Sequence, residues 1–226
     1  MQPDEARIIG GGSPSVPGWK AFGRFLIEEA AWLLAAFAVT VLVAQVLLAT
    51  RWSAAAPGVA LVGLHALIGL HVIWNDAPSV PAWLRVRWRD FAWGLAGGAV
   101  LLGFNAAYGW CLDAAGIEVP DVPAFLRELL PVPVLFVWAG GIAPLVEELY
   151  FRGRLLEAFG ARIGPVWAGV LSSAAFAAIH GIPAFIPAYL VFAAVLLALR
   201  KRTGALVAPI TAHVLNNTLA LLLPLP

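Results

Sequence analysis

Apolar runs of membrane-crossing length succeed one another along the chain, at about 26–50, 54–75, 91–112, 132–158, 165–182, 185–200 and 204–223, separated by short polar segments. A hydrocarbon core of ~30 Å needs about 20 such residues in a helix. The pattern therefore predicts an all-α fold, a polytopic transmembrane helical bundle of about seven spans. An eighth, short or re-entrant segment fits around 121–130. The polar, Gly/Pro-rich start predicts a flexible tail over 1–22, followed by transmembrane helices over 23–131. No internal repeat is evident, and no low-complexity segment stands out beyond Ala/Leu richness.

Composition agrees with the pattern. The chain of 226 residues is 62% hydrophobic and 12% charged, with a mean hydropathy of +0.88. A soluble domain is nearer half apolar, and the spans leave no room for a separate soluble unit. The first apolar run, Ala30 to Thr50, is too long for a signal-peptide core and reads as a retained anchor. The net charge of +1 gives no ground for a nucleic-acid partner; the expected surroundings are the lipid bilayer. The single cysteine, Cys111, cannot form an intramolecular disulfide and is expected to pack as a small apolar residue.

Basic residues follow the positive-inside rule. Lys20 and Arg24, the Arg85/Arg87/Arg89 cluster, Arg154 with Arg162, and Arg200-Lys201-Arg202 all fall on one side of a seven-span chain. The loop from Asp113 to Glu128 carries four acids and one arginine and falls on the other. This predicts a multi-pass protein of the plasma or inner membrane, with a cytoplasmic amino terminus.

Three polar islands interrupt the apolar runs: Glu147-Glu148 with Arg152, Phe176 with His180, and His213 with Asn217. A charged side chain at the bilayer centre costs about 2.5–3.5 kcal/mol on insertion scales, so such residues normally face a shared interior. Residues four apart share a helix face. Glu148 is then paired with Arg152, while Glu147, about 100° round the helix, is left to face a cavity. Depth agrees. Glu147 lies 13 residues before Gly160 and His180 lies 15 after Pro165. At 1.5 Å per residue both are ~20–22 Å from one turn. Counted from Gly204, His213 and Asn217 reach ~14 and ~20 Å. Four polar groups from three helices thus converge on one layer.

Other polar positions have plainer readings. Arg154 and Glu157 fit a helix end snorkelling to water. His65 and His71, six apart and on different faces, are expected to be hydrogen-bonded packing residues. Asn105 and Asn216 fit interhelical hydrogen bonds. Tyr150, Phe151 and Trp138 read as lipid-facing or packing groups.

The strings EELYFR (147–152), FAAIH (176–180) and HVLNN (213–217) resemble the three signature motifs of the CPBP intramembrane protease family, Glu-Glu-x-x-x-Arg, Phe-x-x-x-His and His-x-x-x-Asn. The family includes type II CAAX prenyl proteases and bacterial proteins linked to bacteriocin maturation or immunity. The resemblance covers about 132–223, which it implies is a four-helix catalytic core, and no motif position departs from the pattern. It implies Glu147 as general base with His180 assisting the water. It implies His213 and Asn217 as holders of the oxyanion, and Glu148, Arg152 and Phe176 as supporting residues around them. The implied activity is hydrolysis of a peptide bond in a membrane-associated substrate, whether a prenylated CAAX-type peptide or a leader peptide.

Glu147, His180 and His213 also match the His₂Glu set of catalytic zinc sites, although all three ligands come from different helices. The family has been described both as metalloproteases and as glutamate-dependent proteases. The metal-free mechanism is the favoured expectation, with zinc as the alternative. Two other function classes remain open at this stage: a catalytically silent membrane scaffold of the same fold, and a small proton-coupled transporter. A transporter usually shows inverted repeats, which this chain lacks.

Overall fold

The computed structural model describes residues 18–223, and among these every regular element is helical. The chain runs through α1 (Trp19–Leu48), α2 (Ala56–Asp76), α3 (Val80–Trp83), α4 (Trp88–Ala114) and α5 (Val122–Leu129). It continues through α6 (Val132–Val137), α7 (Ala143–Glu148), α8 (Leu156–Ile179), α9 (Ile186–Thr203) and α10 (Val207–Leu222). Two π-helical turns, Trp138–Ile142 and Leu149–Leu155, join α6 to α7 and α7 to α8. The expected tail lies outside the described residues as far as residue 17; Trp19 to Phe22 already belong to α1.

Five stretches are long and apolar enough to cross a membrane, which makes this an integral membrane protein. One of them, Val132–Ile179, has 48 residues, or ~72 Å of helix, more than twice a hydrocarbon core. It does not run straight. Gly164 takes φ 80° and ψ 164° immediately before Pro165, a left-handed backbone that a side chain would resist. The chain folds back there, and Ser172 Oγ donates to the Phe151 carbonyl at 2.6 Å. The shorter α10 completes the bundle, so seven antiparallel legs match the seven apolar runs. The segment expected around 121–130 is α5, an eight-residue helix started by Asp121, whose carboxylate accepts from the Ala124 N–H at 2.8 Å. It is too short to cross.

Burial is uneven. Within their most apolar windows only 11% of α1 is buried, against 50% of Val132–Ile179. The outer helices therefore face lipid, with Trp74, Trp88 and Trp110 exposed near helix ends as in an interfacial belt. Cys111, expected to pack, is exposed on α4. The core instead gathers around Phe176, which is 1% exposed. It stacks parallel to Phe192 with ring centres 5.8 Å apart and meets Phe151 edge-on at 5.4 Å.

Helix α4 lies against α10 through glycines. A Cβ on Gly94 would come within 2.5 Å of Thr211 Cβ and 2.8 Å of the Ala208 carbonyl. One on Gly98, a turn further, would come within 2.7 Å of Leu215. Small residues four apart let membrane helices approach closely where no water-driven force presses them together. This contact sets the position of α10, and with it His213 and Asn217.

Candidate active site

The π turns decide where the motif side chains point. In the first, the Ala143 N–H bonds to the Trp138 carbonyl, one residue further back than in an α-helix. The Ala139 carbonyl would then look to residue 144, which is proline and has no N–H. Asn217 Nδ2 donates to it instead, at 3.1 Å. The second turn repeats the device. Leu156 N–H reaches back to the Phe151 carbonyl, and Arg200 Nε donates to the Arg152 carbonyl at 3.2 Å. Each wide turn thus frees a carbonyl, and a side chain from α9 or α10 docks on it. Such π turns concentrate at functional sites, and here they bracket Glu147-Glu148.

Glu148 and Arg152 are fully buried and paired at 2.9 Å. Glu148 has a second partner that local spacing could not reveal: the same oxygen lies 3.0 Å from His213 Nδ1. A carboxylate only accepts, so Nδ1 carries the proton and His213 turns Nε2 outward. Nε2 lies 3.8 Å from Glu147 Oε2. The Arg152 guanidinium also covers the Phe176 ring at 4.3 Å. Phe176 therefore carries the charge pair on one face of the core and touches His180, with ring centres 4.8 Å apart.

His180 is oriented in the same manner. Its Nδ1–H donates to the Phe176 carbonyl at 2.8 Å, and Tyr189 of α9 stacks on its ring at 4.1 Å. Tyr189 was not singled out by sequence, where an aromatic in an apolar helix carries no signal. Asn216 and Asn105 join α10 to α4 at 2.8 Å, as expected. Asn216 Nδ2 also donates to Asn217 Oδ1 at 3.3 Å, which leaves one N–H of the Asn217 amide unassigned.

Glu147, His180, His213 and Asn217 all line one cavity of about 1500 Å³, larger than the ~300–1,000 Å³ of a typical small-molecule pocket. Leu33 and Phe37 of α1 and Leu61 of α2 supply apolar wall; Asp113 and Arg127 lie on its rim. Within this wall Glu147 Oε2 is buried without a hydrogen-bond partner, which is costly unless a ligand or water completes it.

Two expectations need correcting. His65 is not merely a packing residue: it lines the cavity, and its Nε2 lies 3.2 Å from Glu147 Oε1. Nor is Arg154 a snorkelling helix-end charge. It is 11% exposed and binds Glu29 of α1 and Asp76 of α2, the latter at 2.6 Å. His71 joins that group at 3.0 Å from Glu29. Tyr150, Phe151 and Trp138 are buried packing residues, and the Tyr150 hydroxyl donates to Glu29 at 3.2 Å. Glu157 is half exposed at the core's edge and accepts from Trp83 Nε1 at 2.6 Å and from Arg200 at 3.1 Å.

A zinc site does not fit these positions. Among the described residues no three His, Cys, Asp or Glu side chains are grouped closely enough to hold a metal ion.

Residues 129–219 match the family described as type II CAAX prenyl endopeptidase Rce1-like. A Bacillus subtilis (strain 168) protein named "Putative membrane peptidase YdiL" is 25% identical over 136 residues, 59% of this chain and 56% of that protein. The chain thus spans little more than half the length of that relative. No solved structure matches. The family match falls on the helices that carry the three motifs around the one cavity.

Proposed function

We propose that this protein is an intramembrane endopeptidase that hydrolyses a peptide bond of a membrane-associated substrate. The supporting observation is the unpartnered, buried Oε2 of Glu147, aimed at His213 Nε2 across 3.8 Å in the wall of the large cavity. A water held there, within reach of His180, gives its proton to Glu147 as its oxygen bonds to the substrate carbonyl carbon. The resulting oxyanion accepts from the free N–H of Asn217. His213 assists from Nε2, its ring held by Glu148 at Nδ1. Glu147 then passes the proton to the leaving nitrogen, the C–N bond breaks, and a carboxyl and an amine are released.

The substrate is a lipidated or leader-type peptide entering from the bilayer, and the amino terminus lies in the cytoplasm of a plasma or inner membrane. The apolar α1 and α2 wall of the cavity supports the first point, and the basic loops between spans support the second. The reaction proceeds without metal: purified active protein carries substoichiometric zinc, and strong chelators leave turnover intact. Zinc near one per chain that falls with activity on chelation, and returns with it on re-addition, overturns the metal-free step.

The test uses protein in lipid nanodiscs and quenched fluorescent peptides, one farnesylated with a CAAX-type end and one leader-like and unmodified. Cleavage that disappears in Glu147→Gln supports the reading. Cleavage that persists in that variant defeats it.

A further inference from the structure

His65 is the histidine of the cavity wall that belongs to none of the three motifs. It comes from α2, 82 residues before its partner Glu147. Its ring is fixed on three sides. Nδ1–H donates to the Leu61 carbonyl one turn back at 3.0 Å, and Trp138 meets the ring edge-to-face at 5.3 Å. Nε2–H is thereby held against Glu147 Oε1 at 3.2 Å and donates to it, so both ring nitrogens of His65 carry a hydrogen.

The consequence concerns the other oxygen. A glutamate carboxylate turns easily about its last torsion, which is broad and two-fold. Left alone, Glu147 could close the 3.8 Å gap to His213 Nε2 and form a direct ion pair with no space for water between them. Binding at Oε1 prevents that turn. We propose that His65 is the positioning residue of Glu147: it holds one carboxylate oxygen so that the other faces the cavity and the water between Glu147 and His213. This rests on the reading of Glu147 as the general base.

The arrangement is preorganised from outside the motif core. The carbonyl that orients His65 belongs to its own helix, and the ring that braces it belongs to the first π turn. The motif helices therefore need α2 for the geometry of their own glutamate. Misplacing a reacting group by ~1 Å costs about 10²-fold in rate, and the loss falls on kcat because substrate contacts are unchanged.

Three variants at His65, the variant Glu147→Gln and one spectroscopic measurement test this. With the farnesylated quenched peptide in nanodiscs, His65→Phe, which keeps a ring but no donor, should lower kcat about 10²-fold with KM nearly unchanged. His65→Gln keeps a donor and should retain most turnover, and imidazole added to His65→Ala should restore part of it. Turnover of His65→Phe at the wild-type rate, with Glu147→Gln inactive, overturns the positioning role and leaves the hydrolytic reading standing. Normal turnover by Glu147→Gln overturns both. Independently of any substrate, ¹⁵N NMR on ring-labelled histidines reads the contact directly, with the His65 signal assigned by its loss in His65→Phe or His65→Gln. That signal should shift on Glu147→Gln; if it does not move, the proposed contact is absent and the inference fails.

Discussion

Arg152 and Arg154 are two residues apart on the same π turn, and each anchors a buried cluster of charge on a different side of it. The outer cluster is closed. All three side-chain nitrogens of Arg154 are bonded to Glu29 or Asp76, and both oxygens of Glu29 have partners. The inner cluster is open. Arg152 satisfies Glu148, yet Glu147 Oε2 and Glu148 Oε2 are buried without partners. Satisfied buried networks fix structure, whereas a half-satisfied one is costly and persists where something else uses it. The outer cluster ties α1 and α2 to the motif helices; the inner one leaves an oxygen for chemistry. Substitutions in the two clusters should therefore separate stability from turnover.

The largest effect is expected at the open oxygen. Glu147→Gln preserves size but cannot take a proton from water, and turnover should fall by at least ~10²–10⁴-fold. The melting temperature should stay close to wild type, because the fold leaves Oε2 unsatisfied and an amide oxygen in place of Oε1 still accepts from His65. A variant that loses activity only through unfolding would erase the contrast between the clusters.

The reverse is expected outside. Arg154→Leu strands Glu29 and Asp76, and breaking a buried pair by removing one partner costs about 3–5 kcal/mol. The loss should appear as a lower melting temperature in detergent and a lower yield. Properly folded molecules should still cleave peptide. Glu148→Gln should fall between the two types, since Glu148 both neutralises Arg152 and orients His213. Both stability and rate should drop. If Glu148→Gln matches Glu147→Gln in both measurements, the two acids do not divide the work as proposed.

Much of the inner cluster was legible from sequence because local rules govern it. Glu148 and Arg152 pair through four-residue spacing, and the depth of Glu147, His180 and His213 follows from counting helical rise from two turns. The outer cluster was illegible for the opposite reason. Glu29, Asp76 and Arg154 meet only through the relative rotation of three helices. In the long apolar stretches of α1 and α2 no periodic polar stripe records that rotation. His65 was hidden in the same way, as an isolated histidine in an apolar span. The π turns added to this. Each inserts an extra residue into the helical register, so Arg154 does not lie where a 3.6-residue period puts it. Pro144 signals only that some irregularity must follow.

Asn217 sharpens the comparison within the inner cluster. One of its N–H groups supports the first π turn through the Ala139 carbonyl; the other is the proposed oxyanion donor. Asn217→Ala should lower kcat by ~10²–10³-fold, the usual cost of losing one such donor. It should also cost about 1–3 kcal/mol of stability, since it leaves the Ala139 carbonyl without a partner. Asn217→Asp distinguishes the parts: it restores size but presents no N–H to either acceptor. Recovery of turnover in that variant would remove Asn217 from the oxyanion site.

The smallest expected effect comes from a residue that touches neither cluster. Gly94→Ala puts a methyl within 2.5 Å of Thr211 and 2.8 Å of a backbone oxygen of α10, and backbone cannot yield as a side-chain end can. Overpacking of this kind costs about 1–3 kcal/mol, and relief requires α10 to move away from α4. His213 and Asn217 would move with it, while Arg154, Glu29 and Asp76 lie on other helices and would not. Turnover should therefore fall by about 10-fold or more from sub-ångström displacement, with a modest drop in melting temperature. Gly98→Ala, whose methyl meets the movable end of the Leu215 side chain first, at 2.7 Å, should be milder in both. Equal losses of activity at the two glycines would mean that the α4–α10 distance does not control the site. The open cluster would then depend on α10 through its side-chain bonds alone.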